Sequence, residues 1–285
     1  MNNDIQIIYK DDVKYPRALL ELKDPPKQLY VKGNIALLDR PLVSIVGTRD
    51  CTRYGLMVAK ELAAQCVSAG FVVVSGLAEG IDTAAHQGAK DATIAVLGNG
   101  IEVYYPVANK DLQDEIGING LLISEYPPSL HGGKTTFPQR NRIVAALSQV
   151  VVAVEADLRS GTLITVKMAK SLMRDVYAVP GNINCYASQG TNNLIANKEA
   201  KIITSIEDFI KDIAGKSIIS QKVLQSKQIS LEQQNILNIL KSDEVHFDDI
   251  VVESGLSVAQ LSTLLTNMEM IGLIEKLPGN YFVAQ

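Results

Sequence analysis

Residues 130–142 read LHGGKTTFPQRNR and gather two glycines, a lysine, an aromatic ring and two arginines in one short stretch. Gly132 and Gly133 let backbone N–H groups come close to an anion, and Lys134 adds a positive charge beside them. Phe137 offers a flat apolar face, in a chain where aromatic residues make up only 5%. A stacking aromatic next to phosphate-binding cations suits an unpaired base and its backbone. The stretch also contains Gly-Lys-Thr, the end of a P-loop, but GxxxxGK[ST] needs a glycine where Pro128 stands. A P-loop must also open a helix at its lysine, and Phe137 and Pro138 occupy that expected first turn. A nucleoside triphosphatase is therefore not expected, whereas a preference for phosphate is.

Other cations fall in comparable places. Arg49, Arg53, Arg140, Arg142 and Arg159 all follow predicted strands or begin predicted helices. Together with Lys134 they form one rim that favours anions, helped by the helix N-termini there. A second reading pairs these arginines with Glu125, Glu155 and Asp157 as loop caps. Which of Arg140 and Arg142 faces a ligand, and which pins the loop, stays open. Phe137 likewise has two readings, a stacking platform or a hydrophobic plug.

Catalytic groups are sparse. Asp82 lies four residues before His86, so a contact within one helix is geometrically easy. A general base is one reading, and a packing histidine with a carboxylate partner is the favoured one. Ser75, Ser124 and Ser160 have no base nearby in sequence. Glu155 could serve a hydrolase, but Arg140 and Arg159 suggest a structural pair. Cys51, Cys66 and Cys185 lack metal spacing and read as reduced thiols. No catalytic residue, metal or cofactor is expected.

The elements that position this rim are legible from hydrophobic runs. LVSIVG (42–47), FVVVSG (71–76), TIAVLG (93–98), GLLISEY (120–126), VVVAVEA (150–156) and DVYAVPG (175–181) are near-continuous apolar strands. Helical stretches alternate with them, as in a parallel sheet covered on both faces. The predicted fold is α/β: a doubly wound, mostly parallel Rossmann-like domain over 41–213. Ligands of such sheets bind at the carboxyl ends of the strands. A GxGxxG fingerprint should join the first strand to its helix, but the turn there is GTRDCTRYG, so a dinucleotide is not expected. Residues 1–40 read as turns and an extended segment lying on that domain. Residues 214–230 read as a linker. Three helical patterns and two strands around Pro-Gly-Asn make a winged helix over 231–285.

Charge separates the two parts. Residues 228–285 hold two basic residues against eight acids, net −6, and the remainder is net +2. A polyanion should prefer the first part. The predicted recognition helix, SVAQLSTLLTNMEMIG, has no lysine or arginine, so a protein-interaction or regulatory role is expected there rather than duplex reading. No apolar run reaches the roughly 20 residues of a membrane span, and the acidic opening stretch has no leader-like core. A cytoplasmic location is expected.

The strand-end residues carry a resemblance. VGTR, SGLAEGIDTAAH, YYPVANKDL, SEYPP, FPQRNRIVAAL, VVVAVEADLRSGTLIT, VYAVPGNI and GTNNLI resemble, in order, the DNA-processing protein A (DprA, or Smf) family. The likeness runs from about residue 15 to about 213, and the tail is similar to the winged helix of many members. It implies a cytosolic, non-enzymatic homodimer that binds single-stranded DNA and loads the RecA recombinase onto it during natural transformation and recombination. Arg49 matches the arginine of the family's Gly-Ser-Arg turn, with Thr48 keeping the hydroxyl. Lys134 and Phe137 match the lysine and aromatic before RNR. The candidate DNA-binding set is therefore Thr48, Arg49, Gly132, Gly133, Lys134, Phe137, Arg140, Asn141, Arg142 and Arg159. Ile206, Phe209 and Ile210, on the helical SIEDFIKDIA with Ile213, could serve core or dimer. The competing reading is a nucleotide hydrolase of the phosphoribohydrolase type, for which PGN and RSGT are only fragments of a phosphate turn.

Overall fold

The computed structural model describes residues 4–215, 231–240, 244–270 and 273–284. The chain divides into two units, Met1–Ala214 and Gly215–Gln285. The expected linker falls largely on 216–230, outside the described residues.

The first unit is built on a nine-stranded sheet. Its strands are β1 (Gln6–Tyr9), β2 (Gln28–Gly33), β3 (Leu42–Val46), β4 (Val72–Ser75), β5 (Thr93–Leu97), β6 (Leu121–Ser124), β7 (Val150–Ala153), β8 (Asp175–Ala178) and β9 (Lys201–Ile202). They lie in the order β1-β2-β6-β5-β4-β3-β7-β8-β9, parallel from β6 through β9. Strands β4, β5, β6 and β7 are buried at every position, because helices cover both faces. That is why Val, Ile and Leu run continuously there instead of alternating. Each such side chain contributes roughly 1.5–3 kcal/mol by leaving water. The helices are α1 (Arg53–Ser68), α2 (Ile81–Ala89), α3 (Lys110–Asn119), α4 (Thr136–Leu147), α5 (Thr162–Ser171), α6 (Gln189–Ala196) and α7 over 206–215. One core includes α4 and α5, and a second includes α1, α2 and α7.

Residues 4–40 hold two strands as well as turns, where turns and an extended segment were expected. Strand β2 pairs antiparallel with β6, from Tyr30↔Ser124 to Gly33↔Leu121, and β1 extends the sheet beyond it. Leu29 and Val31 point into the core while Tyr30 and Lys32 are only half-buried. This alternation in QLYVKG is the period-2 signal of a half-buried strand.

Helix α7 places its apolar stripe inward. Phe209 is buried edge-on to Tyr177, with ring centroids 5.0 Å apart, and Ile206, Ile210 and Ile213 join the same core. Phe209 is therefore a core residue, whereas Ile206 and Ile210 are only partly buried against that core. The serines of β4 and β6 are also structural: Ser75 donates to Ile45 O at 2.6 Å and Ser124 to Asn99 O at 2.7 Å.

The second unit has α8 (Leu231–Leu240), β10 (Val245–His246), α9 (Phe247–Ser254), α10 (Val258–Met270), β11 (Ile274–Leu277) and β12 (Tyr281–Ala284), with sheet order β10-β12-β11. Gly255 closes α9 at φ 68°, and the wing turns at Gly279 and Asn280, with φ 84° and 64°. Both are conformations that glycine and asparagine tolerate. Ile236, Leu240, Ile250, Leu261, Leu265, Met268, Ile274 and Phe282 form its core. This is a winged helix. Among the described residues, no helix is long and apolar enough to cross a membrane.

Candidate nucleic-acid interface

Sheet order reverses at β3: the chain leaves it toward β4, and later returns on its other side as β7. A crevice must open at the carboxyl ends of these strands. A cleft of about 520 Å3 lies there, lined by Thr48 and Arg49 after β3, Gly76 and Glu79 after β4, Phe137 and Arg140 of α4, Asp157 after β7, and Thr162 of α5. A second cleft of about 250 Å3 adjoins it, and Arg49, Glu79, Phe137 and Arg140 line both.

The turn after β3 is held from below. Thr52 caps α1, its Oγ1 accepting from Gly55 N at 3.1 Å and donating to Glu155 Oε1 at 2.6 Å. Thr52 N donates to Glu155 Oε2 at 2.8 Å. Glu155 is 1% exposed, and a Cβ on Gly55 would fall 2.3 Å from its Oε2. The expected pairing of Glu155 with an arginine is thus replaced by this threonine cap. Thr48 is buried, donating its N–H to Glu155 O at 2.8 Å and accepting from Asp50 N on Oγ1 at 3.3 Å. Arg49 is left exposed, its guanidinium carbon 6.0 Å from the Phe137 ring centroid.

Helix α4 begins at Thr136 and includes Phe137 and Pro138 in its first turn. Those residues therefore do not prevent a helix start, since the first turn's N–H groups have no intrahelical partner for proline to remove. The spacing objection at Pro128 is unaffected. Arg140 shares a helix face with Ile143, Val144 and Leu147 and is buried with them, at 5% exposure. Its Nη1 donates to Gly76 O and Val96 O, and its Nε to Asn141 Oδ1 at 3.1 Å. Asp82, also buried, accepts from Gly76 N at 3.1 Å and Ala78 N at 3.4 Å. Burial pushes the Asp82 carboxyl above the usual carboxylate range, against the pull of Arg140 and those N–H groups. Arg140 is thus a strut beneath the clefts, tying α4 to β4 and β5, and not a rim cation. Arg142 is also committed, its Nη2 lying 2.6 and 2.7 Å from the two oxygens of Glu125. Asn141 stays half-buried in the lining of the larger cleft.

In the glycine loop, Gly133 N donates to Thr136 Oγ1 at 2.8 Å, so that N–H is not available as a phosphate cradle. Gly132 is required by close packing, because a Cβ would lie 2.8 Å from both Gly98 O and Phe137 Cζ. Lys134 is exposed, as is Arg159. Among the described residues, none of the Arg49, Lys134 and Arg159 side chains forms an ion pair. Phe137 is half-buried against Tyr105, with centroids 4.8 Å apart. Tyr105, Asn99 and Glu79 were not singled out from sequence, although GNGIEVYYP (98–106) follows β5 as a strand-end loop should.

His86 and Asp82 do not meet. The His86 ring places Nδ1 2.7 Å from Thr93 Oγ1, and Nε2 has no hydrogen-bond partner among the described residues. Packing is its role, with a threonine in place of the expected carboxylate. Burial, with the Arg140 charge, lowers its pKa from 6.5 to about 3. The unfolded chain therefore binds a proton that the folded chain refuses between those values, and stability rises with pH through that window. Acidification from about pH 6.5 toward 3 should therefore progressively destabilise the fold through this group. Asp82, raised when folded, acts with the opposite sign at the acid end. In urea titrations from pH 7 to 4, His86→Gln should lose stability less steeply than the parent; equal slopes would refute the assignment.

Comparison with known proteins agrees with this geometry. The family model described as DNA recombination-mediator protein A matches residues 6–214, and the DprA winged helix domain matches 223–280. DNA processing protein DprA of Streptococcus pneumoniae is 46% identical over 201 residues, covering 70% of this chain and 71% of that one. Protein Smf of Escherichia coli is 33% identical over 286 residues, covering 96% and 76%. The X-ray structure of the S. pneumoniae DprA matches with TM-score 0.69 at 43% identity, over 73% of this chain and 74% of that one. A DprA structure from Helicobacter pylori, described for its single-stranded DNA binding mode, matches with TM-score 0.69 at 36% identity, over 76% and 99%. On a nine-stranded sheet with its crevice at the β3 switch point, and with a winged helix following, this chain belongs to the DNA recombination-mediator protein A (DprA) family.

Proposed function

We propose that this protein binds single-stranded DNA across the two strand-end clefts and passes the strand to RecA. The observation that carries the reading is the ring of Phe137 at the shared wall, beside exposed cations with no acidic partner among the described residues. Arg49, Lys134 and Arg159 meet backbone phosphates, with Thr48, Asn141 and Gly132 shaping the path between them. A base stacks on Phe137. The Arg49 guanidinium carbon lies 6.0 Å from that ring's centroid, which sets a phosphate-binding cation beside the stacking face.

The protein acts by binding and not by turnover. Glu155, the carboxylate a phosphoribohydrolase reading would use, is occupied by Thr52, and the serines of β4 and β6 bond to backbone. The family description as a recombination mediator supports transfer to RecA, and the family resemblance supports a cytoplasmic homodimer acting in transformation. The winged helix serves partner contact or regulation, since α10 carries no lysine or arginine with which to hold duplex phosphates.

The test is equilibrium binding of the full chain to single-stranded and duplex oligonucleotides of equal length. Tighter binding of the single strand is expected; equal affinity, or a preference for duplex, would overturn the reading.

A further inference from the structure

Arg53, expected on the rim, lines neither cleft. It is exposed at the start of α1, and among the described residues it makes no ion pair and no side-chain hydrogen bond. Its neighbour Tyr54 is 48% exposed, yet its hydroxyl donates to Pro180 O at 3.1 Å, which ties the ring to the loop after β8. That loop presents Ile183 and Tyr186, 83% and 61% exposed. Its backbone is well held. Gly181 N donates to Asn192 Oδ1 at 3.1 Å, Cys185 N to Asn182 O at 2.9 Å and Ser188 N to Cys185 O at 3.1 Å, and Ala187 and Ser188 are buried next to Tyr186. Just beyond it, Gly190 N donates to Ala156 O at 2.7 Å, beside the exposed Arg159 turn. This face therefore continues from the larger cleft, which Asp157 and Ser160 of that turn line.

The charge of the face has one sign. Residues 180–189 carry no charged side chain, and the first turn of α1 has no acid to oppose Arg53. The nearest acids in sequence, Asp50 and Asp157, belong to the lining of the larger cleft, and Asp157 Oδ1 accepts from Arg159 N at 2.6 Å. Clustered exposed apolar surface marks a contact site. Rings beside free cations suit unpaired bases and their backbone, because every base has a face to stack whatever the sequence. A duplex keeps its bases stacked on one another and cannot offer those faces. We propose that the bound strand leaves the larger cleft past Arg159 and continues over this face, with one base stacked on Tyr54, another on Tyr186, and a phosphate on Arg53. The inference rests on the single-strand binding proposed above and lengthens its site.

Oligothymidylates of increasing length test this with the full chain, because short ones fill the clefts alone and long ones reach the tyrosines. In fluorescence anisotropy, the Tyr54→Ala, Tyr186→Ala double variant should match the parent on the shortest oligomers that bind. On the longest it should bind about thirtyfold more weakly, the low end for losing two stacked bases. Tyr54→Phe with Tyr186→Phe keeps both rings and should bind as the parent does at every length. Arg53→Gln should flatten the salt slope by about 0.7 for long oligomers only. Equal affinity of parent and alanine variant at all lengths, or an equal loss at all lengths, overturns the extension and leaves single-strand binding standing. An alanine variant that keeps its affinity for long oligomers but no longer self-associates in sedimentation gives the face to a protein partner and likewise overturns it. Failure of the parent to bind any oligomer overturns the single-strand reading itself.

Discussion

Arg140→Ala should lower the unfolding free energy by about 3–5 kcal/mol, the usual cost of removing one partner from a buried charged network. The reason is local. The substitution leaves Gly76 O and Val96 O without their donor and leaves the buried Asp82 without the nearby positive charge. It also removes the tie between α4 and the ends of β4 and β5, on which both clefts are built. Arg140→Lys should recover little, because one ammonium does not reproduce a planar fork reaching two carbonyls and Asn141. Denaturant midpoints at constant m-value decide the matter. A loss below about 1 kcal/mol together with a selective loss of DNA affinity would put the guanidinium on the ligand instead.

Phe137→Ala should weaken single-strand binding by about 1–3 kcal/mol, the range for deleting one base-stacking ring. The ring is half-buried and in contact with Tyr105, so some stability is lost as well. The two roles separate with Phe137→Leu, which keeps apolar bulk against Gly98 and Gly132 and removes the aromatic face. Binding should fall in both variants and stability mainly in the alanine variant. If Phe137→Leu bound DNA with parental affinity, the ring would be a plug and the stacking role would be refuted.

Much of this was legible in residues alone, for physical reasons that can be named. Strands buried on both faces must be continuously apolar, so the runs at 42–47, 71–76, 93–98 and 150–156 declared a parallel sheet, and a parallel sheet dictates where its ligand sits. Arg49, Lys134 and Phe137 lie at that edge and line it or stand exposed beside it. Arg140 illustrates what local reading misses. Its place three and four residues before Ile143 and Val144 put it on the buried face of α4, but its charge argued for the rim. Its partners, Gly76 and Val96, are distant in sequence. Arg142 and Glu125, seventeen positions apart, were a pair that the sequence left open. The Thr52–Glu155 cap and the Tyr105–Phe137 contact likewise join different strand ends, which only the sheet order brings together. In the lead-in, the alternation at 28–33 was visible, but its pairing with β6 depended on a partner some ninety residues later.

The most direct measurement is a salt titration of single-strand affinity for the parent chain and for the Arg49→Ala, Lys134→Ala double variant. Each phosphate contact on a single strand adds about 0.7 to the slope of log affinity against log salt. Two lost contacts should therefore flatten the slope by about 1.4 and weaken binding at moderate salt. A double variant with the parental slope and affinity would contradict the claim that this rim holds the DNA backbone.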